Sequence, residues 1–158
     1  MNSTFALWLA FGIGVVAGLR SLTAPAVVAW AAHLGWINLH NSPLSFMGSK
    51  WSVGIFTVLA LVELVADQLP GTPARTAPVG LSARIVTGGL CGACLAVAGG
   101  ATLLVGAVAG AIGGIAGAFA GYRTRVGLVR SLRVPDVAVA VPEDIVAIGL
   151  GLFLVSRF

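Results

Sequence analysis

The chain has 158 residues, of which 58% are hydrophobic and 9% charged, with a mean hydropathy of +1.04. Soluble domains carry about 25% charged residues, so this composition excludes a water-soluble globule and leaves no stretch for a separate soluble domain. The net charge of +4 does not point to nucleic acid, because the arginines stand between apolar stretches, where the positive-inside rule places them. The expectation is an all-α, polytopic helical membrane protein, a single integral membrane domain over residues 1–158 with about six transmembrane helices.

The first span is expected at residues 4–19. It lacks the basic leader and small-residue cleavage site of a signal peptide and is read as a retained helix. Gly14 and Gly18 lie on it at close-packing spacing. Arg20 follows, and Thr23 is a candidate N-cap for a second segment at 24–36 with Pro25 in its first turn. That segment is short, so it is either a tilted span or a re-entrant half-helix. A polar loop over 37–50 leads to span three at 51–69, which is apolar until Glu63, Asp67 and Gln68. After a Pro- and Gly-rich loop through Arg75 and Pro78, span four is expected at 85–98, and Gly99 and Gly100 make a tight turn.

Span five, residues 101–121, carries no charge over 21 residues and reaches ~31 Å as a helix, about the thickness of bilayer hydrocarbon. Gly106, Gly110, Gly113, Gly114, Gly117 and Gly121 fall within roughly 100° of its circumference. Each would cost ~1 kcal/mol against Ala on a water-exposed helix, whereas in lipid such a face lets another backbone approach closely. Arg123, Arg130 and Arg133 then share one arc, opposite Leu128, Val129 and Leu132. That is the pattern of an interfacial helix on anionic head groups, or of a solvated loop with topology-fixing arginines. Span six is expected at 142–157, with Pro142 in its first turn and Glu143 and Asp144 at the positive end of the helix dipole.

With six spans, the loops after spans one, three and five hold Arg20, Arg75, Arg84, Arg123, Arg125, Arg130 and Arg133, against Lys50 and Arg157 opposite. This bias predicts a multi-pass membrane protein with both termini outside the cytoplasm. Two sets of three spans would then face opposite ways, as in a 3+3 inverted repeat. The glycine face of span five and that of span one, Gly14 and Gly18, suggest a homo-oligomer, by symmetry a dimer.

The six-span arrangement brings Glu63, Asp67, Glu143 and Asp144 to one depth, bordered by Arg20, Arg84, Arg123 and Arg125. Ionised groups near hydrocarbon cost roughly 2.5–3.5 kcal/mol each, so these must face protein, water or a partner. Three readings stay open: a cation or proton site centred on Glu63, a structural salt-bridge set such as Glu63 or Asp67 with Arg84, or an anionic ligand held by the arginines. Cys91 and Cys94 have CxxC spacing inside an apolar helix and are read as small packing residues. His33 and His40 are read as interface polarity around Trp36. There is no Ser/His/Asp set, phosphate loop or metal-ligand cluster, so no catalytic residue, cofactor or metal is expected and the protein is not expected to be an enzyme.

The stretches AGLRSLTAP after span one, VELVADQLPGTP at 62–73, the Arg and small-residue opening at 83–92, and the late PED resemble a family of small bacterial membrane proteins catalogued as domain of unknown function 4126. The family pattern maps onto Gly18, Glu63, Ala66, Asp67, Pro70, Arg84, Glu143 and Asp144. Gln68 replaces its usual Lys, and the acidic and tryptophan residues common in the following loop are absent from GTPARTAPVGLSAR. The resemblance implies a multi-span helical membrane protein and brings no activity with it. From the residues, the expected function is a small transporter or channel-like protein for a cation, proton-coupled solute or small polar molecule. The alternative is a non-transporting scaffold, or a protein that engages anionic membrane lipid, whose charges are structural.

Overall fold

A computed structural model describes residues 2–66, 77–132 and 136–158. It contains α1 (Ser3–Leu19), α2 (Thr23–His33), a short 3-10 turn (Ser45–Gly48), α3 (Lys50–Ala66), α4 (Pro78–Ala98), α5 (Leu103–Leu132) and α6 (Asp136–Val155), and no strand among the described residues. Among the described residues, three stretches are long and apolar enough to cross a membrane: Pro78–Ala98, Leu103–Ser131 and Ala138–Val155. Large apolar side chains cover much of the outside, with Trp8, Trp51, Val58, Val65 and Ile145 all more than half exposed. Lipid tails suit such a surface and water does not.

The centre of the molecule is built from backbone brought close to backbone. Helix α5 lies between α1, which runs parallel to it, and α4, which runs antiparallel. Gly14 faces Gly110 and Gly18 faces Gly114, while Gly92 faces Gly106 and Gly88 faces Gly110. A methyl group on Gly88 would sit 2.7 Å from the Gly110 carbonyl oxygen, and one on Gly18 2.6 Å from the Gly117 Cα. No side chain fits at either place. The glycine face thus divides between two neighbours: Gly106, Gly110 and Gly114 serve α4, Gly113 and Gly117 serve α1, and Gly121 is also buried. Gly88 and Gly92, four apart on α4, are equal partners in this packing that the sequence analysis did not single out.

Several element boundaries differ from expectation. Helix α4 begins at Pro78 rather than near residue 85, because Pro is at home at the first helical position and no later breaker stops the run. Helix α5 continues without interruption through Arg123 and Arg130 to Leu132, so the basic stretch extends span five and is not a separate interfacial helix. Its 30 residues reach ~45 Å, well beyond ~30 Å of hydrocarbon. Helix α6 begins at Asp136, which puts Pro142 in its interior rather than in its first turn. The missing N–H leaves the Ala138 carbonyl without its helical donor, one turn before Glu143 and Asp144.

Helix α2 has 11 residues, ~16 Å, and is the most enclosed of the helices, with Thr23 to Ala29 and Ala31 all buried. It pairs antiparallel with α3: Trp30 Nε1 donates to Thr57 Oγ1 at 3.0 Å, and His33 Nδ1 lies 2.9 Å from the Gly48 carbonyl oxygen. The expected polar loop between them folds inward, burying Ile37, Leu39, Leu44 and Met47.

Candidate functional site

Residues 18–23 carry the chain from α1 to α2, and three other helices each send one ionised side chain to this connection. From α3, Glu63 accepts three hydrogen bonds: Oε1 from the Ser21 N–H at 2.9 Å and the Ser21 hydroxyl at 2.6 Å, Oε2 from the Leu22 N–H at 2.8 Å. From α4, Arg84 Nε donates to the Gly18 carbonyl oxygen at 3.1 Å and Nη1 to Gly80 at 2.8 Å. From α6, Asp144 Oδ1 accepts a hydrogen bond from Arg20 Nε and forms an ion pair with the same guanidinium through Nη2. All four charged side chains are buried, Arg20 completely.

Each helix delivers its group for a local reason. Helix α3 has a narrow inward stripe, Val53, Ala60 and Glu63, with exposed apolar residues around it, so Glu63 points inward as the last member of the protein-facing row. Arg84 lies one turn before Gly88 on the face of α4 that meets α5, where its own carbonyl abuts Gly114. Glu63 is ~20 Å along its helix from Lys50, Arg84 ~21 Å from Ala98 and Asp144 ~17 Å from Val155. The groups therefore meet at one depth, most of a membrane thickness from the opposite helix ends.

The electrostatics of the connection are matched at both ends. The last carbonyls of α1 are the negative end of its dipole, and Arg84 binds one of them. The N–H groups of Ser21 and Leu22, just ahead of the first turn of α2, lie at the positive end of its dipole, and Glu63 sits on them. Thr23, the expected N-cap, is instead the first helical residue. Leu22 holds the cap position without a side-chain bond, and the carboxylate of another helix supplies the acceptor. The Thr23 hydroxyl, 4% exposed, has no hydrogen-bond partner among the described residues.

Of the other expected site residues, Glu143 forms an ion pair with Arg125 at 3.7 Å. Arg125 lies about two turns beyond Gly117 on α5, so this pair is set off toward the basic end of that helix. Arg123 and Arg130 are exposed. Asp67 and Arg133 lie outside the described residues. Glu63 is held by Ser21 and Leu22 rather than paired with Arg84. Cys91 and Cys94 are buried in the apolar core. His33 and His40 both line a shallow cleft of about 350 Å³ near the 3-10 turn, away from the charged layer.

Ser21 and Leu22 are the residues that the sequence analysis missed. Backbone N–H groups leave no mark in a sequence, and the only available signal was the need of Glu63 for donors within an apolar surrounding. Among known proteins, the family described as Domain of unknown function (DUF4126) matches residues 7–156. No curated protein and no solved structure matches the chain.

Proposed function

The chain belongs to the DUF4126 family, and from that premise we propose that it is a six-pass protein of the bacterial inner membrane that passes a small polar solute or ion through its charged layer. The observation that carries this is the convergence of three helices on the α1–α2 connection: Glu63 on its backbone N–H groups, Arg84 on the last turn of α1 and Asp144 on the Arg20 side chain. In hydrocarbon, irregular backbone is tolerated only where protein buries it or where it lines a polar path, and helix ends at mid-depth are a recurrent way to hold solutes and ions. The buried Thr23 hydroxyl adds a polar group that has no partner among the described residues. Arg20 and Asp144, joined directly between the connection and α6, form the contact that would open to admit a solute. Six passes are supported by the antiparallel pairing of α2 with α3, which carries the chain away from the charged layer and back.

Reconstituted vesicles test the proposal. Swelling in isotonic formate, chloride, urea or glycerol should be faster than in protein-free vesicles for at least one of these. Asp144→Asn weakens the contact that has to open, so it should raise that rate further while the protein still elutes as one folded species. Swelling that matches protein-free vesicles for every solute removes passage.

The structural alternative has its own support, since both Glu63 oxygens are already engaged and Arg123 and Arg130 stand exposed at the end of α5. On that reading the charges lock the helices and the basic arm engages anionic lipid. Replacing Arg123 and Arg130 with Gln should then reduce the stabilisation of the detergent-solubilised protein by added phosphatidylglycerol. An undiminished effect argues against the lipid contact.

A further inference from the structure

Helix α2 ends at His33, and the chain that follows folds back to form a cleft of about 350 Å³ with His33 and His40 both in its lining. Gly35, at φ +78, makes the turn, with its N–H donating to the Ala32 carbonyl and that of Trp36 to the Ala31 carbonyl. Ile37 and Leu39 are then buried, which leaves the alternate residues Asn38 and His40 exposed. Two histidines that are separate in the sequence thus come to one concave surface.

Both rings have a nitrogen to give. His33 Nδ1 lies 2.9 Å from the Gly48 carbonyl oxygen, which can only accept, so in the neutral ring Nδ1 carries the proton and Nε2 keeps its lone pair. A backbone carbonyl on the far nitrogen is the usual support of a metal-bound imidazole. Edge contact with the Trp30 ring, 6.3 Å between centroids, fixes His33 further. His40 is placed through its backbone: its N–H donates to Asn38 Oδ1 at 3.1 Å, and Leu39 beside it belongs to the core. The His40 ring and the Ser45 hydroxyl in the same lining have no hydrogen-bond partner among the described residues.

The donors select the ion. Two neutral imidazoles and a hydroxyl, with no carboxylate or thiol between residues 34 and 50, suit a later divalent transition metal. Mg²⁺ and Ca²⁺ prefer carboxylate oxygen. A water takes about 30 Å³, so the cleft has room for an ion and the waters that complete its coordination.

We infer that this cleft binds one divalent transition-metal ion, Cu²⁺ in preference to Zn²⁺, through His33 Nε2 and the His40 imidazole. The ion ties the end of α2 to the folded loop before α3. The site stands apart from the charged layer and does not depend on passage of a solute.

Calorimetric titration tests this on the full-length protein, purified in detergent with a tag that contains no histidine. Copper sulfate should bind at one equivalent, zinc chloride more weakly and magnesium chloride not detectably. His33→Gln and His40→Gln should each weaken Cu²⁺ binding at least about tenfold, since loss of an outer supporting contact alone costs that much. Saturating Cu²⁺ should raise the thermal midpoint of wild type and leave that of His40→Gln unmoved. Pulsed EPR of the frozen Cu²⁺ complex should show coupling to two imidazoles in wild type and to one in each variant. Should His33→Gln fail to fold, His40→Gln carries the same test, because the His40 ring makes no hydrogen bond among the described residues. Absence of Cu²⁺ binding, binding unchanged in His40→Gln, or a single coupled imidazole in wild type overturns the site.

Discussion

Glu63 neutralises the positive end of α2 from a different helix, and Arg84 does the converse for the negative end of α1. Each is a cap supplied across the structure, so neither could be found by looking for a capping residue beside the helix it serves. Glu63 itself was conspicuous, because a lone carboxylate in an apolar run must be compensated. Its partner was not, because the donors are backbone groups at a break 42 residues away. The Arg20–Asp144 contact spans 124 residues and was legible only as membership of a common layer. This pair allows a clean measurement. Removing one member takes a direct ion-pair partner from a buried charge, so Arg20→Met or Asp144→Leu alone should each cost about 3–5 kcal/mol, while the double variant should cost much less than their sum. Denaturant unfolding in mixed micelles reads all three. Additive losses would mean that the two groups do not depend on one another.

Packing of α5 sets a sharper limit than charge does. Its glycines were legible as a face from their spacing alone, but not as two faces, since a periodicity does not state how many neighbours share it. Gly88 and Gly92 on α4 went unnoticed because two glycines four apart are a weak signal until the opposing helix is known. The glycine faces of α1 and α5 pack on one another within the subunit, so a dimer expected from them needs a different surface. The contrast between tight and open glycines is testable within one molecule. A methyl on Gly92 would fall 2.5 Å from the Gly106 carbonyl oxygen, whereas one on Gly149 in α6 meets nothing within 4 Å. Gly92→Ala should therefore lower stability by about 1–3 kcal/mol through overpacking. Gly149→Ala should be neutral or stabilise by up to ~1 kcal/mol through helix propensity. Thermal unfolding of the two variants side by side gives the answer, and equal shifts would mean that α4 and α5 are not in backbone contact.

Topology at the scale of the molecule turns on α2. At ~16 Å it cannot cross ~30 Å of hydrocarbon by itself, and were it to turn back, the arginine bias that orients the whole chain would lose its basis. Two facts argue that it continues outward. Its pairing with α3 is antiparallel, marked by Leu22 at its N-cap with Glu63, Trp30 with Thr57, and His33 with Gly48 of the 3-10 turn that precedes α3. The chain between the two helices buries Ile37, Leu39, Leu44 and Met47, so it completes the thickness as folded protein rather than as free loop. The proposed six-pass arrangement places Ser45 and Ser131 on opposite sides of the membrane, the first outside and the second in the cytoplasm. Both are exposed, and the native Cys91 and Cys94 are buried, so single cysteines introduced at 45 and 131 can be read against a low background. In intact cells a membrane-impermeant maleimide should label Ser45→Cys and leave Ser131→Cys unreacted until the membrane is opened. Both sites reacting from the same side would mean that α2 returns to the face it left, and the six-pass arrangement, with its outward termini, would fall together with the common depth assigned to the charges.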